Sequence, residues 1–430
     1  MDAQRKTVPH ERGFKQRAYP NACQTKLLNQ YFGAARFVYN WGLAQCNDYY
    51  EEHKKHLNIN EVSRRLTKLK QDPAHTWLQK VPSSILVQAL FQLDNAFQNF
   101  FVKIKNPPKK FKPRKDGKPY AYPRFRKKGS REAIRISLDH RRAGFQCGPN
   151  FHYNKYIELP DARNGETFGR LSTRWDSRTP DQYLLNYLGD ERFRDLDGYP
   201  HSLTLSRSPT GKHYVSFMLR VHTNFTAKTK RAVGVDLGLK SLFVTSDGLE
   251  HGALQPFRKS QRKLKLAQRR LVRKKKGSKR YNKQKIHIAR IHEKIANQRK
   301  DSTHKATSSL VQQYDLIAIE DLNVAGMKKN RKHSKSVSDS AFSEFRRQLE
   351  YKSKWAGKDV WAVGRFFPSS KMCSQCGQLH EMPLKQRTMK CDCGNTMDRD
   401  LNAAINIRNE GLHMHHKQYG VDFPFYHYAV

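Results

Sequence analysis

Two apolar, β-branched runs in this chain each end on one carboxylate. AVGVDLGLKSLFVTSDG carries Asp236 and DLIAIEDLNVAGM carries Glu320. Both runs have strand character. A third acid, Asp400, lies in CDCGNTMDRDLNAAINI and opens a segment of helical character whose core face is Ala403, Ala404 and Ile407. The order is a strand with Asp, a hairpin, helices, a strand with Glu, a helix, a strand (VWAV) and a late Asp. It matches an RNase H-like α/β layer, in which the strands fix Asp236 and Glu320 side by side and a helix packed on the sheet brings in Asp400. Two strand-borne carboxylates and one helix-borne carboxylate suffice to hold two magnesium ions against a phosphodiester, activating water and stabilising the leaving 3′ oxygen. Asp236 is expected to bridge the ions, with Glu320 and Asp400 completing one each. A lone acid at a strand end is more often a cap or turn residue; the three in this order carry the argument. Asp247, Asp315, Asp321 and Asp398 are the neighbouring alternatives. Asp398 is the nearest rival, but helical geometry turns it to a different face from Asp400.

The surrounding charge explains why metal belongs between these acids. The chain has 430 residues, with 82 Lys+Arg against 38 Asp+Glu and a formal net charge of +44. Its length suits roughly two to four domains. So positive a chain repels itself when compact and calls for an anionic partner, nucleic acid before membrane. No apolar run reaches membrane-spanning length, and no apolar segment follows the charged start MDAQRKTVPHERGFKQR. The expectation is a soluble, intracellular, cytoplasmic protein with no membrane partner.

Seven cysteines are too few and too uneven for a disulfide framework. Cys373, Cys376, Cys391 and Cys393 cluster in sequence and suit one structural, four-thiolate zinc site, with His380 as the substitute ligand. Four protein ligands leave no open position for water. The second pair is C-x-C, which tightens that turn. Cys23, Cys46 and Cys147 read as plain buried thiols.

Elsewhere the signals are organisational. Residues 21–102 read as helical, with Leu27, Leu28, Tyr31, Ala35 and Val38 on one stripe and Leu86, Leu90, Leu93, Phe97, Phe100 and Phe101 on another. From Lys103 to Arg131, Lys, Arg and Pro interleave with Phe111, Tyr120, Tyr122 and Phe125, the pattern of an arm that tracks phosphates and stacks bases. Residues 130–225 are strand-like, with SPTGK as a hairpin turn and no clear signal between Asp161 and Tyr199. Across 251–300 nineteen Lys/Arg face one acid, Glu293. Leu264 and Leu271, then Ile288, Ile291 and Ile295, predict a helical hairpin with a thin apolar seam and a phosphate-facing exterior. Ser338 and Asp339 offer N-caps for a helix with Phe342, Phe345, Leu349 and Trp355 on its apolar stripe and Gly357 as its stop. His413, His415 and His416 lie close together in the tail, without an acidic or thiol partner.

The stretches around Asp236, Glu320 and Asp400, together with FFPSSKMCSQCG and NACQTKLLNQYFGAARFVYNWGLA, resemble TnpB, the RNA-guided nuclease family of insertion sequences related to type V CRISPR effectors. The resemblance covers most of residues 14–410. It implies a multidomain α+β protein whose RuvC-type (RNase H-like) nuclease domain is interrupted by a zinc-ribbon insert, with a helical recognition lobe inserted into a β-barrel wedge domain. The implied division is 1–20 for the first wedge strand, 21–124 for the recognition lobe and 125–228 for the rest of the wedge. The nuclease domain follows at 229–370, with its basic helical hairpin at 256–310, then the zinc insert at 371–397, the final helix at 398–412 and a tail at 413–430. Asp236, Glu320 and Asp400 match the family's catalytic acids. The implied partners are a guide RNA from the transposon end and a double-stranded DNA target cut beside a short adjacent motif, the protein being a monomer in the ribonucleoprotein. Met397 stands where many members have His. An RNA-guided repressor without cleavage and a DNA transposase are the competing readings.

Overall fold

The computed structural model describes residues 7–107, 117–129, 132–137, 156–158, 168–174, 202–224, 229–330, 332–383, 385–420 and 423. Phe111, Cys147, most of the 161–199 segment and the end of the tail lie outside them. The chain divides into two compact units, Pro9–Val221 and the combination of Met1–Val8 with His222–Val430.

The first unit joins helices to a sheet. β1 (Thr7–Tyr19) leads into α1 (Ala22–His53), whose start is a capping box: the Asn21 side chain accepts from Gln24 N, and the Gln24 side chain accepts from Asn21 N. α2 (Ile59–Leu69), a 3-10 helix (Pro73–Lys80) and α3 (Ser83–Lys105) follow. The strands are β2 (Glu132–Ser137), β3 (Tyr156–Glu158), β4 (Arg170–Arg174), β5 (Ser202–Arg207) and β6 (His213–Asn224). Their order, β2-β5-β6-β1-β4-β3, leaves β2 and β3 at opposite ends of the sheet among the described residues. One apolar cluster takes in Leu28, Tyr31, Leu86 and Leu90 from the helices and Ile134, Leu203, Val215 and Phe217 from the strands. β4 falls where the sequence carried no signal: RLSTR has one large apolar residue, Leu171, which is buried.

Two expectations for this unit change, those for Tyr122 and Cys23. Tyr122 does not wait for a base. Its hydroxyl donates to Asn47 Oδ1 at 2.6 Å and its ring stands edge-on to Phe97 and Phe100, so it belongs to the helical core. Phe125 remains 54% exposed. Cys23 is exposed rather than buried, one residue into α1, whereas Cys46 is buried and its thiol is pushed up to about 11 by burial.

The second unit is built on a five-stranded sheet of β7 (Ala232–Leu237), β8 (Ser241–Thr245), β9 (Glu250–Gly252), β10 (Leu316–Glu320) and β11 (Asp359–Val363), in the order β11-β10-β7-β8-β9. β11, β10 and β7 are parallel; β8 and β9 return antiparallel. Period-two alternation gives this sheet two apolar faces. Val233, Val235, Ile317 and Ile319 pack under α8 (Phe342–Ala356) through Phe342, Phe345 and Leu349. Ala232, Leu316, Ala318 and Val363 pack under α9 (Arg399–Tyr419) through Ile407 and Leu412. Between β9 and β10 run α4 (Pro256–Val272) and α5 (Lys279–Gln313), joined by a seam of Leu264, Ala267, Ile291 and Ile295. α6 (Val324–Met327) and α7 (Ser334–Ser340) precede α8, and Gly357 ends α8 at φ 67 as its sequence predicts.

Ser338 and Asp339 do not cap α8. Both lie inside α7, and Ala341 at φ 54 separates the two helices. Asp339 instead caps α4 from a distance. Its carboxylate accepts from Phe257 N at 3.0 Å and Arg258 N at 3.2 Å, and it pairs with Arg299 of α5 at 3.1 Å. One buried acid thus fastens both arms of the basic hairpin. β12 (Thr388–Lys390) and β13 (Thr396–Asp398) form a small hairpin just before α9.

Candidate active site and metal centre

The register of the parallel strands sets the spacing of the first two acids. Ala318 pairs with Gly234 and Ile319 with Val235, so the next step along both strands sets Glu320 beside Asp236. Strands in a sheet lie about 4.8 Å apart. Alternation puts Ala232, Gly234 and Asp236 on one face with Leu316, Ala318 and Glu320, which is the face under α9. Asp400, Ala404, Ile407 and Gly411 share one stripe of that helix. A Cβ added at Gly234 would fall 1.9 Å from Ala404 O and 2.4 Å from Arg408 N, and one added at Gly411 would fall 2.4 Å from Ala318 Cβ. Bare backbone at both points therefore lets α9 lie directly on β7 and β10. Its first turn, with Asp400, then reaches the end of β7 where Asp236 stands.

The electrostatics follow from this convergence. Burial first, then the carboxylates of Glu320 and Asp400, push Asp236 up to about 8, against a weaker pull from Arg399 and the Leu237 backbone N–H. Acids of one sign crowd together here in a protein of net charge +44. Such crowding costs free energy that divalent cations would relieve, so the donor set fits hard metal ions. Glu320 also accepts from Ser369 Oγ at 2.5 Å, which fixes its carboxylate.

Each rival acid has other employment. Asp247 takes Arg231 at 2.8 Å and the Tyr314 hydroxyl at 2.9 Å. Asp315 pairs with buried Lys358 at 3.1 Å and accepts from Lys230 N at 2.7 Å. Asp321 bridges Arg346 at 2.5 Å and Arg365 at 2.6 Å. Asp398 is the N-cap of α9, accepting from Asp400 N at 2.8 Å and Leu401 N at 3.3 Å.

The four cysteines meet as their spacing predicts. Their Sγ atoms all lie within 4.8 Å of one another, with Cys373–Cys393 at 3.7 Å and Cys376–Cys391 at 3.5 Å. A tetrahedral zinc with Zn–S near ~2.3 Å sets its sulfurs about 3.8 Å apart, so the set fits a structural zinc. Burial raises the Cys373 thiol, but the Asn395 amide and the Cys376 and Gln375 backbone N–H groups outweigh it and bring it to about 6. The cluster is made of the four cysteines without His380. Among the described residues His413, His415 and His416 form no such group; His415 is buried among the rings of Trp361, Tyr419 and Phe423.

Sequence reasoning missed the residues that tie the cysteine module to α9. Asn402 Nδ2 donates to Met372 O at 2.7 Å while its Oδ1 accepts from Ser374 N at 3.0 Å. Asn406 donates to Ser369 O and Met372 O, both at 2.7 Å. Arg399 reaches Pro383 O at 2.9 Å and Ser370 Oγ at 3.2 Å. The available signal was two asparagines four apart, interleaved with Ala403, Ala404 and Ile407; the structure buries both, and buried amides are hydrogen-bonded.

Known proteins agree with this architecture. A family described as "Probable transposase" matches residues 216–331, the Cas12f1-like TNB domain matches 342–407 and a helix-turn-helix domain matches 10–55. A candidate RNA-guided DNA endonuclease of Streptomyces pristinaespiralis is 34% identical over 94% of this chain and 90% of its own length. A second, InsQ of Escherichia coli K12, is 31% identical over 93% and 92%. A chain from the cryo-EM structure of a Cas12f1–sgRNA–target DNA complex shares the fold, with a TM-score of 0.54 at 14% identity, over 93% of this chain and 99% of that one. With full-length kinship of this degree, the chain belongs to the TnpB-like family of RNA-guided DNA endonucleases.

Proposed function

We propose that the protein cuts double-stranded DNA beside a short target-adjacent motif, guided by an RNA from the transposon end, with Asp236, Glu320 and Asp400 as its catalytic acids. The observation that carries this reading is the crowding of the three carboxylates on one sheet face while every neighbouring acid is paired or capping. Asp236 would be shared between two magnesium ions, with Glu320 and Asp400 each serving one. Bound there, the ions supply an activated water and charge for the leaving 3′ oxygen. The chain's own part is positioning: Ser369 orients Glu320, and the Gly234–Ala404 contact holds the α9 end that bears Asp400. In the same reading residues 229–370 and 398–412 form a RuvC-type domain around a zinc insert at 371–397. Residues 21–124 are the recognition lobe within a wedge-type β domain, and the ribonucleoprotein holds one copy of the chain. Guide–target pairing reads sequence, and the basic surface holds the heteroduplex by its backbone.

The test is plasmid cleavage by the purified ribonucleoprotein with magnesium. A matched plasmid is expected to be cut and a mismatched one spared. Asp236→Ala should abolish cutting while target binding persists. Wild-type protein that binds the matched plasmid and never cuts it would leave a repressor instead.

A further inference from the structure

We infer that Phe366 is a base-stacking seat for the single DNA strand that enters the carboxylate site, an assignment that rests on the nuclease reading above. Phe366 is 94% exposed, the most exposed of the large apolar side chains among the described residues. It does not sit on a wandering loop. Residues 364–367 form a turn closed by Phe367 N donating to Gly364 O at 3.0 Å, with Arg365 and Phe366 at its corners. On one side the turn is bolted to the residue after Glu320: Arg365 donates to Asp321 O at 3.2 Å and Asp321 Oδ2 at 2.6 Å, and Asp321 N donates to Val363 O at 3.1 Å. On the other side Phe367 packs into the α9 core, and Ser369 holds Glu320 itself. The ring is thus presented to solvent by backbone anchored to the acid site from both directions.

The chemistry around the ring selects the occupant. Arg365 spends Nε and one terminal nitrogen on Asp321 and is 46% exposed, which leaves guanidinium N–H donors for a phosphate. Arg365, Arg346 and Glu320 line one cleft beside the turn. A lone phenyl ring next to a guanidinium matches one unpaired base and its phosphate. It lacks the contiguous apolar area that a protein partner needs. Bases of an intact duplex are stacked inward and cannot reach it, so the seat takes a displaced strand.

The test uses the ribonucleoprotein carrying Asp236→Ala, bound to matched duplex whose displaced strand carries 2-aminopurine at each position in turn. With Phe366 present, fluorescence at one or two adjacent positions is expected to be quenched. Phe366→Ala and Phe366→Leu should relieve that quench, and Phe366→Trp should keep it. In the cutting-competent protein, Phe366→Leu should slow cleavage about 5- to 150-fold, the range of one lost stacking contact, with guide RNA and duplex binding unchanged. A strand in which no position responds to the ring at residue 366 overturns the proposal. A ring-dependent quench in a wild-type protein that never cuts upholds the seat and overturns the nuclease reading alone.

Discussion

At the scale of single residues, the site is defined by which of the described acids form ion pairs or caps and which are set chiefly against one another. Asp236 → Ala is expected to lower cleavage by at least about 10^3-fold, since metal-borne charge stabilisation is worth several kcal/mol and each factor of ten needs about 1.4. Asp398→Ala should do something different: lose a helix cap, costing about 1 kcal/mol in a thermal melt, with cleavage reduced far less. The raised Asp236 carboxyl carries a pH signature. Its folded value is about 8 against an ordinary 3.8, so the folded state binds a proton that the unfolded state lacks between those limits. Stability therefore falls as pH rises through this window, and the loss is complete above about 8. In magnesium-free, zinc-replete buffer, melting temperature should drop from about pH 5 to pH 8 more in wild type than in Asp236→Asn, and magnesium should restore it at the upper end. Protons and cations compete for one carboxylate, so the pH midpoint of cleavage should move down as magnesium rises. A midpoint indifferent to magnesium would count against metal at Asp236. The three acids were legible because each ends or opens a run whose periodicity is visible in sequence. Ser369 was not, because its only distinguishing feature is a partner 49 positions away.

Elements explain how distant runs are brought to one place. The decisive contact is helix backbone on strand backbone, at Gly234. Gly234→Ala would press a methyl into Ala404 O, where no side chain can swing aside. The expected cost is about 1–3 kcal/mol in a denaturant melt, with a larger loss of cleavage because α9 must lift and take Asp400 with it. The cysteine module hangs on the same helix. Cys376→Ser should lower zinc content measured by atomic absorption. It should also lower cleavage, because Met372, Ser374 and Ser370 are held by Asn402, Asn406 and Arg399 of the turns next to Asp400. Zinc loss that leaves cleavage untouched would mean the two sites are independent. Helices with an unbroken apolar stripe, α1, α3 and α8, stood out in sequence because burial imposes the 3.6 period. β4 did not, since a short strand with one large buried residue has no period to detect. Sequence points to Asp339 as a local cap because caps usually are local; its actual client, the start of α4, lies 82 residues earlier. Tyr122 departs from its expectation for a related reason. Its basic, Pro-rich neighbours describe the segment, whereas its hydroxyl and ring answer to α1 and α3.

For the whole molecule, the constraint is a net charge of +44 that no internal pairing can offset, with 38 acids against 82 Lys and Arg. Many of the acids are already committed to folding, as Asp339, Asp315 and Asp321 illustrate. The surplus is concentrated on α4 and α5, whose apolar contact is limited to a seam a few residues wide. A helical hairpin with so little to bury and so much like charge gains stability when a polyanion neutralises it. Two consequences can be measured. RNA of defined length should copurify with the protein. Stripping it at high salt should lower the melting temperature, which returns when the RNA is added back. Binding of that RNA should weaken steeply with salt, because each neutralised phosphate of a single strand contributes about −0.7 to the slope of log K against log salt. Replacing Lys274, Lys275 and Lys276 at the tip of the hairpin by Gln should make the slope shallower by about 2 if all three meet phosphates. If the slope is unchanged while the variant folds normally, the tip faces solvent and the charge there serves solubility alone. That outcome would shift the nucleic-acid surface to the lysines and arginines elsewhere on the two arms.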